Sequence, residues 1–181
     1  LTLTGMTNLS ENWQAPGPAK QMMLFSLLLF AAYALISVKW GHIGDMDCWL
    51  RWSKYMHENG LVKVYESGCD YMPGFLYILW FNTKIQQTAT NVQDNLYIFK
   101  FIVLLFDLAG AYLAVYYVRD WNRRLFAYLF LLLNPAFIYN TLVWGQVDAV
   151  FTAIGFLALL AALERKIWWS CFLLVVALNF K

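Results

Sequence analysis

Charged residues are scarce in this sequence. Only 13% of its 181 residues are Asp, Glu, Lys or Arg, whereas an ordinary soluble domain carries about 25%. The formal net charge is only +2, and no basic tail or basic cluster with interleaved aromatics occurs, which argues against a nucleic-acid partner. The three cysteines have no metal-like spacing. Cys48 and Cys69 could form a disulfide if both lie in one extracytoplasmic loop.

Apolar residues take the place of the missing charge. Hydrophobic residues make up 61% of the chain and aromatic residues 19%. A membrane-spanning helix needs about 20 mostly apolar residues, with roughly 17 as the minimum. The sequence therefore predicts one all-α membrane domain over residues 1–181, a polytopic helix bundle without repeats or linkers. Five stretches are candidate spans: Met22–Val38, Leu96–Val118, Leu125–Val143, Val147–Leu163 and the shorter Ile167–Phe180.

A sixth apolar stretch, Pro73–Phe81, decides the topology. If it crossed the membrane, the arginines of Arg119–Arg124 would lie outside together with Asp45, against the positive-inside rule. Its apolar core is far shorter than a span, and its aromatic residues suit the headgroup region. We therefore predict a short interfacial or re-entrant helix. Residues 40–95 then form a large extracytoplasmic loop, and the following basic residues lie inside: Lys20, Arg119, Arg123, Arg124, Arg165 and Lys166.

Two acids, Asp45 and Asp47, stand at the start of that outer loop. The stretch GDMDCWLRWSKYMHENG reads as a short amphipathic helix ending at Asn59-Gly60, because apolar residues recur at three- and four-residue steps: Trp49, Trp52 and Met56. On local grounds Asp45 is the N-cap and Asp47 interacts with the helix dipole. The alternative is a chemical role, because a carboxylate just outside a membrane helix can act as general base on a lipid-borne substrate.

A second polar region, NPAFIYNTLVWGQVDAVF, interrupts the later apolar sequence. Asn134-Pro135 is expected to break a spanning helix, and Asp148 either caps the next helix or belongs to a site at its outer mouth. Asp107 lies near the middle of a span. We expect its carboxylate to face the bundle interior, because a lipid-facing acid is costly, and to pair with one of three polar side chains: Asn134, Asn140 or Gln146.

The order of these features resembles that of the polytopic C-type (GT-C) glycosyltransferases, which use polyprenyl-phosphate sugars. A first spanning helix is followed by GDMD, then CDYMPGFLYILW, an acid in LLFDL, and NPAFIYNTLVWGQVD. Within that family the similarity is greatest to bacterial mannosyltransferase-like and glucosyltransferase-like membrane proteins. It extends to the eukaryotic enzymes that use dolichyl-phosphate glucose and to the mannosyltransferase of GPI-anchor assembly. The resemblance covers residues 41–181.

The resemblance implies roles for particular residues. Asp45, in a Gly-Asp context, would act as general base on the acceptor hydroxyl, Asp47 would complete an acidic pair, and the sugar would be transferred with inversion. Asp70, Tyr71 and Pro73 match the family's Asp-Tyr-Pro-Pro element, with Met72 in place of its first proline. Lys181 matches a lysine that often follows a later span. The residues expected to bind substrate are Trp49, Asp70, Tyr71, Trp144, Gln146, Asp148 and Lys181.

The expected partners are a polyprenyl-phosphate-sugar donor, a lipid-linked, glycan or protein acceptor, and membrane lipids. No cofactor is expected: an Asp-x-Asp pair can hold a divalent metal ion, but the sequence offers no evident third protein ligand. The active site would face the outside of a bacterial inner or plasma membrane, or the lumen of the endoplasmic reticulum in a eukaryote. Members of the family continue for several more helices, so we expect this chain to be the N-terminal portion of the enzyme.

Two other functional classes compete with this interpretation. A transporter or flippase-like protein would use Asp107, the Asn134-Pro135 break and Asp148 to line a path through the bundle. The sequence lacks the internal repeat that many transporters have, and it concentrates its acids in an outer loop. A non-catalytic membrane module is the third possibility.

Overall fold

Helices are the regular secondary structure in the described part of the chain, and turns connect them. The computed structural model describes residues 16–38, 41–86 and 88–180, with side chains from residue 20 onward, and no β-strand occurs in these ranges. The prediction of an all-α fold is confirmed there. The α-helices are α1 (Pro16–Ser37), α2 (Ile43–Asn59), α3 (Pro73–Gln86), α4 (Ala89–Asp94), α5 (Phe99–Ala114), α6 (Trp121–Leu132), α7 (Pro135–Ile138), α8 (Asp148–Leu163) and α9 (Ile167–Leu178). Short 3₁₀ helices cover Leu61–Ser67 and Leu96–Ile98, and a π-helix covers Tyr139–Trp144.

Two helical segments are long and apolar enough to cross a membrane, Lys20–Ser37 and Leu96–Ala114. A third span is possible if α6 and the helix Pro135–Trp144 count as one broken span, bent by 45°. α8 and α9 are apolar but contain 16 and 12 residues, fewer than the roughly 17 that a span requires. Two or three of the five predicted spans are thus supported. The last two form shorter helices because turns occupy the residues before and after α8 and the chain leaves the helix after Leu178.

The bend at Asn134 and Pro135 is present, as predicted. α6 ends at Leu132, and the Asn134 side-chain oxygen accepts a hydrogen bond from the Ala136 amide at 2.9 Å. Proline lacks an N–H and has a fixed φ, so it suits the first turn of a new helix better than the interior of an old one. The break therefore redirects the chain into the π-helix.

α2 is the amphipathic helix that the outer-loop sequence predicts. Its Trp49, Trp52 and Met56 side chains are buried, and the helix ends where Gly60 adopts a φ of 86°. Its neighbour α3 begins at the predicted residue but extends to Gln86, so the helix has 14 residues and stays below spanning length. Much of α3 is buried against the rest of the protein.

One core joins the outer-loop helices to the apolar helices. Trp49 of α2, Phe75 of α3, Phe99 of α5 and Val150 of α8 belong to the same buried cluster. α8 packs against both α5 and α9. α5 and α8 approach each other at Gly110, as expected from the sequence: a Cβ there would be in ordinary contact with the Ala153 Cβ, at 3.5 Å. The elements that carry Asp45, Asp70 and Asp148 are therefore fixed to the apolar helices.

The cysteines are free thiols. Cys69 is buried in the core cluster, and half-buried Cys48 packs against the same cluster. The disulfide that a shared loop would have permitted is not formed.

Two groups of loops lie at opposite ends of α5 and α8. One end carries the start of α2 and the segment Trp144–Asp148; the other carries the turns that follow the two helices. At that second end, Arg124 donates to the Val118 carbonyl at 2.6 Å, and Lys166 interacts with Tyr117 across the two turns. A 16-residue helix such as α5 is about 24 Å long. The arginine-rich turns are therefore well separated from the Asp45 region.

Gly74→Ala should destabilise the protein. The Gly74 amide donates to the Asn179 carbonyl at 2.8 Å, and a Cβ on Gly74 would lie 2.5 Å from that same backbone oxygen. Because a backbone group cannot move aside easily, we expect a loss of about 1–3 kcal/mol, measured as a lower Tm of the purified protein in detergent.

Gly155→Ala provides the matched control. Gly155 lies within α8, and an added Cβ would meet no atom within 4 Å. Since alanine favours a helix over glycine by about 1 kcal/mol, this variant should be neutral or slightly stabilised. Equal losses in both variants would contradict the packing argument.

Candidate functional site

Asp45 lies in the first turn of α2, one turn after the residue that caps the helix. The N-cap is His42, whose Nδ1 accepts a hydrogen bond from the Asp45 amide at 3.5 Å. The prediction that Asp45 is the cap is therefore wrong. The helix starts earlier than the sequence suggested because the imidazole nitrogen satisfies the free amide, which leaves the Asp45 carboxylate available for other contacts.

The Asp45 carboxylate is bound by a distant part of the chain. Its Oδ2 accepts hydrogen bonds from the Trp144 indole N–H and from the Gln146 side-chain amide, the latter at 2.6 Å. His42 Nδ1 lies 3.8 Å from the same oxygen, and the His42 and Trp144 rings are 5.4 Å apart between centroids. The contact between α2 and the Trp144–Gln146 segment spans about one hundred residues of sequence.

The turn at Gly145 places both donors on Asp45. The amides of Gly145 and Gln146 each donate to the Asn140 carbonyl at 3.0 Å, closing the π-helix Tyr139–Trp144. Gly145 has a φ of 83°, a left-handed conformation that glycine adopts without a Cβ penalty. The two side chains that flank it then reach the same carboxylate oxygen. Single-turn π-helices are frequent at functional sites.

Tyr71 extends this network. Its hydroxyl donates to the Gln146 side-chain oxygen at 3.4 Å. Burial, and then the carboxylates of Asp45, Asp148 and Asp70, raise the pKa of Tyr71 to about 12. Because the phenol keeps its proton at physiological pH, Tyr71 is a hydrogen-bond donor and not a base. Three of the predicted site acids are thus close enough to Tyr71 to interact with it electrostatically.

Asp148 occupies a different place from the one predicted on local grounds. It is the first residue of α8, and the N-cap is Val147, which makes no side-chain capping bond. The carboxylate therefore lies in the first helical turn, where the positive end of the helix dipole stabilises its negative charge. From α8 it also helps to raise the pKa of Tyr71.

Asp45 and Asp47 do not converge on one point. Residues two apart on a helix face different directions, and only Asp45 reaches Trp144 and Gln146. Asp47 instead lines an open groove of about 300 Å³ between α2 and the segment that follows α3, with Val38, Gly41, Met46, Leu50, Gln93, Asp94, Leu96 and Tyr97. Within the described ranges, no group of three or more His, Cys, Asp or Glu side chains is placed to hold a metal ion.

Trp49 forms the wall behind the site. Its side chain is only 1% exposed, and its ring contacts those of Tyr71 and Phe75 at centroid distances of 4.9 and 4.6 Å. It therefore supports Tyr71 from the core and has almost no surface to offer a substrate. Lys181, also predicted to bind substrate, lies outside the described residues.

Asp107 faces the protein interior, as predicted. It is 6% exposed and lines a narrow cavity with Tyr33 and Thr141. None of the three predicted partners, Asn134, Asn140 and Gln146, lines this cavity: Asn134 caps α7 and Gln146 binds Asp45. The correct neighbours were not evident in the sequence, because the π-helix turns Thr141 toward α5.

Two residues of this region were missed by sequence reasoning. His42 precedes the GDMD motif, and its capping role depends on where α2 begins. Lys100 is fully buried at the start of α5 and donates to the Leu142 carbonyl at 2.9 Å. The available signal was a single cation opening the apolar stretch Leu96–Val118.

Comparisons with known proteins yield no relative: no family model, curated protein or solved structure matches the chain.

Proposed function

We propose that the chain is part of a polytopic membrane glycosyltransferase of the GT-C type. It would transfer a sugar from a polyprenyl-phosphate donor to an acceptor hydroxyl, with inversion, using Asp45 as general base. The observation that carries this proposal is the binding of one Asp45 oxygen by Trp144 and Gln146. The sequence motifs of the first outer loop and of the later polar region meet at that carboxylate.

The hydrogen bonds from Trp144 and Gln146 leave one carboxylate oxygen of Asp45 able to accept a proton. Both donors bind Oδ2, and among the described residues no group bonds to Oδ1. The Asp45 side chain is 31% exposed, so an acceptor hydroxyl can approach the carboxylate. A general base must lie within hydrogen-bond reach of the proton that it removes, and the two bonds to Oδ2 fix the orientation that this requires.

The groove beside Asp47 offers space for the acceptor. Its volume of about 300 Å³ lies at the lower end of the range for small-molecule sites. Carboxylate, amide and phenol groups from Asp47, Gln93 and Tyr97 are suited to bind hydroxyl groups. Because Asp47 and Asp94 are acidic, the groove suits a neutral acceptor better than the donor phosphate. Asp45 does not line the groove, so Asp47 would bind one part of the acceptor while its reacting hydroxyl extends out of the groove to Asp45.

Exposed apolar side chains support the membrane location. The outward surface of α1 carries Leu27, Leu28 and Leu35, which are 60%, 57% and 75% exposed, and α9 exposes Trp168 at 89%. Contiguous apolar surface on this scale is covered by lipid or protein in nature. We propose that α8 and α9 complete the bundle although each is shorter than a full span.

The direct test is sugar transfer by purified full-length protein. It would be incubated with a panel of radiolabelled polyprenyl-phosphate sugars, and label would be followed into lipid or glycan acceptors. We expect transfer from at least one donor. A folded protein that transfers no sugar from any donor of the panel would refute the proposal.

The proposed topology makes a separate prediction for cysteine labelling. In a background without the native cysteines, Asn59→Cys should react with a membrane-impermeant maleimide added to intact cells, because the Asp45 end of the bundle faces outside. Asn122→Cys, in the arginine-rich turn, should react only after permeabilisation. Both positions are exposed, so access to the reagent decides the outcome. Labelling of Asn122→Cys in intact cells would overturn the topology.

A transporter is the second candidate, because the buried Asp107 lies beside a broken helix, a combination that transporters use. The two functions separate in reconstituted vesicles. A transporter would move the lipid-linked sugar between leaflets and leave the bond between sugar and phosphate intact. A transferase would break that bond and release polyprenyl phosphate.

A further inference from the structure

Lys100 connects α5 to the segment that carries Trp144 and Gln146. Its side chain is fully buried, and its Nζ donates to the Leu142 carbonyl at 2.9 Å. Leu142 lies within the π-helix, two residues before Trp144. A buried cation at the end of a membrane helix is costly, so its presence in this apolar stretch requires a specific use.

The lysine side chain also lies directly against the turn. A Cβ on Gly145 would be 3.3 Å from the Lys100 Cε and 3.3 Å from the Met46 Sδ. Gly145 is therefore held between α5 and α2, with Lys100 on one side and Met46 on the other. These contacts fix the residue between the two donors that bind Asp45.

The local charges explain why the contact is made by a lysine. The last carbonyls of a helix lack intrahelical partners and form the negative end of its dipole. Here that end lies beside an acidic site, since Asp45, Asp70 and Asp148 all act on Tyr71. An ammonium group satisfies a carbonyl and offsets this negative potential, which a neutral donor would do only in part.

We infer that Lys100 is the positioning residue that holds the Tyr139–Trp144 helix and the Gly145 turn so that Trp144 and Gln146 reach Asp45. Its consequence for catalysis rests on the proposed transferase function, whereas its effect on geometry does not. In this role Lys100 acts through the backbone of the segment, by its bond to the Leu142 carbonyl.

The test compares Lys100→Met with the native full-length protein. Methionine has nearly the same length but cannot donate to the Leu142 carbonyl. The first readout is the indole ¹H–¹⁵N signal of Trp144 in detergent, assigned through its loss in Trp144→Phe. We expect the signal to shift and broaden in Lys100→Met as the bond to Asp45 is lost. The second readout is transfer, with kcat lowered about tenfold through misplacement of the segment and KM for the donor little changed.

Three further variants keep the test decisive. Lys100→Arg retains a cationic donor and should restore part of kcat and the indole signal. If Lys100→Met does not fold, Lys100→Gln replaces it, because its amide is one bond too short to reach the carbonyl. Gln86→Met is the control: Gln86 is a buried polar residue of α3 that bonds to Asn82, away from the segment, so it should leave the indole signal and kcat unchanged.

The outcomes are distinct. An unshifted indole signal with native kcat in a folded Lys100→Met protein would overturn the inference, and so would equal effects of Lys100→Met and Gln86→Met. A shifted signal in a protein that transfers no sugar from any donor would support the role of Lys100 and refute the transferase function.

Discussion

Asp45→Asn is expected to lower the rate of sugar transfer by about 10²–10⁴-fold, the usual contribution of a general base. The substitution keeps the size and shape of the side chain, and the asparagine oxygen can still accept from Trp144 and Gln146. It removes the negative charge, and with it the ability to take a proton from the acceptor. Because His42 caps α2, no capping interaction is lost, so the Tm should change little. Steady-state transfer and a thermal melt measure the two effects separately.

Asp47→Asn is the matched control for this prediction. Asp47 lies two residues along the same helix, makes no contact with Trp144 or Gln146, and lines the neighbouring groove. We expect kcat within a few-fold of the native value, with the main effect on KM for the acceptor. If Asp45→Asn keeps near-native turnover, or if both variants lose kcat equally, Asp45 is not the base.

Local sequence patterns predicted α2 and the bend at Asn134-Pro135, because neighbouring residues determine both features. The three- and four-residue spacing of Trp49, Trp52 and Met56 identified α2, because burial of one helix face produces that spacing. Asn134-Pro135 identified the bend, because proline limits the backbone wherever it occurs. Both predictions are confirmed, and neither depends on another part of the chain.

The site itself required information that local patterns do not contain. Its defining contact joins Asp45 to Gln146, 101 residues apart, and the π-helix that presents Gln146 has no sequence signature. The order of motifs did group Asp45, Tyr71 and Gln146 in one set of candidates. It did not show that Asp47 turns away, although helical geometry alone separates residues two apart.

Burial changes the role expected of Trp49, and it marks Lys100, to which the sequence assigned no role. Trp49 was predicted to contact substrate, but the same periodicity that identified α2 also places it on the buried face. Lys100 was passed over because a single charge in an apolar run gives no pattern. Its contacts with the Leu142 carbonyl and the Gly145 turn are made by the fold and leave no local pattern in the sequence.

Gln146→Leu is expected to lower kcat by about 10²-fold, because an error of about 1 Å in the position of a reacting group can cost that much. Leucine has a similar volume but cannot donate to Asp45 Oδ2 or accept from the Tyr71 hydroxyl, so two bonds of the network are lost together. Trp144 alone then holds the carboxylate, which becomes free to rotate about its remaining bond. The donor KM should change little, since this network orients the base and does not enclose the donor.

The matched control for Gln146→Leu is Gln86→Leu, which removes the amide of a buried glutamine in α3. It can lower the Tm but should not affect kcat, because its only side-chain bond in the described structure is to Asn82. The comparison separates loss of stability from loss of orientation. A Gln146→Leu protein with native kcat would show that Asp45 needs no support from the later motif, and the link between the two sequence regions would then have no catalytic meaning.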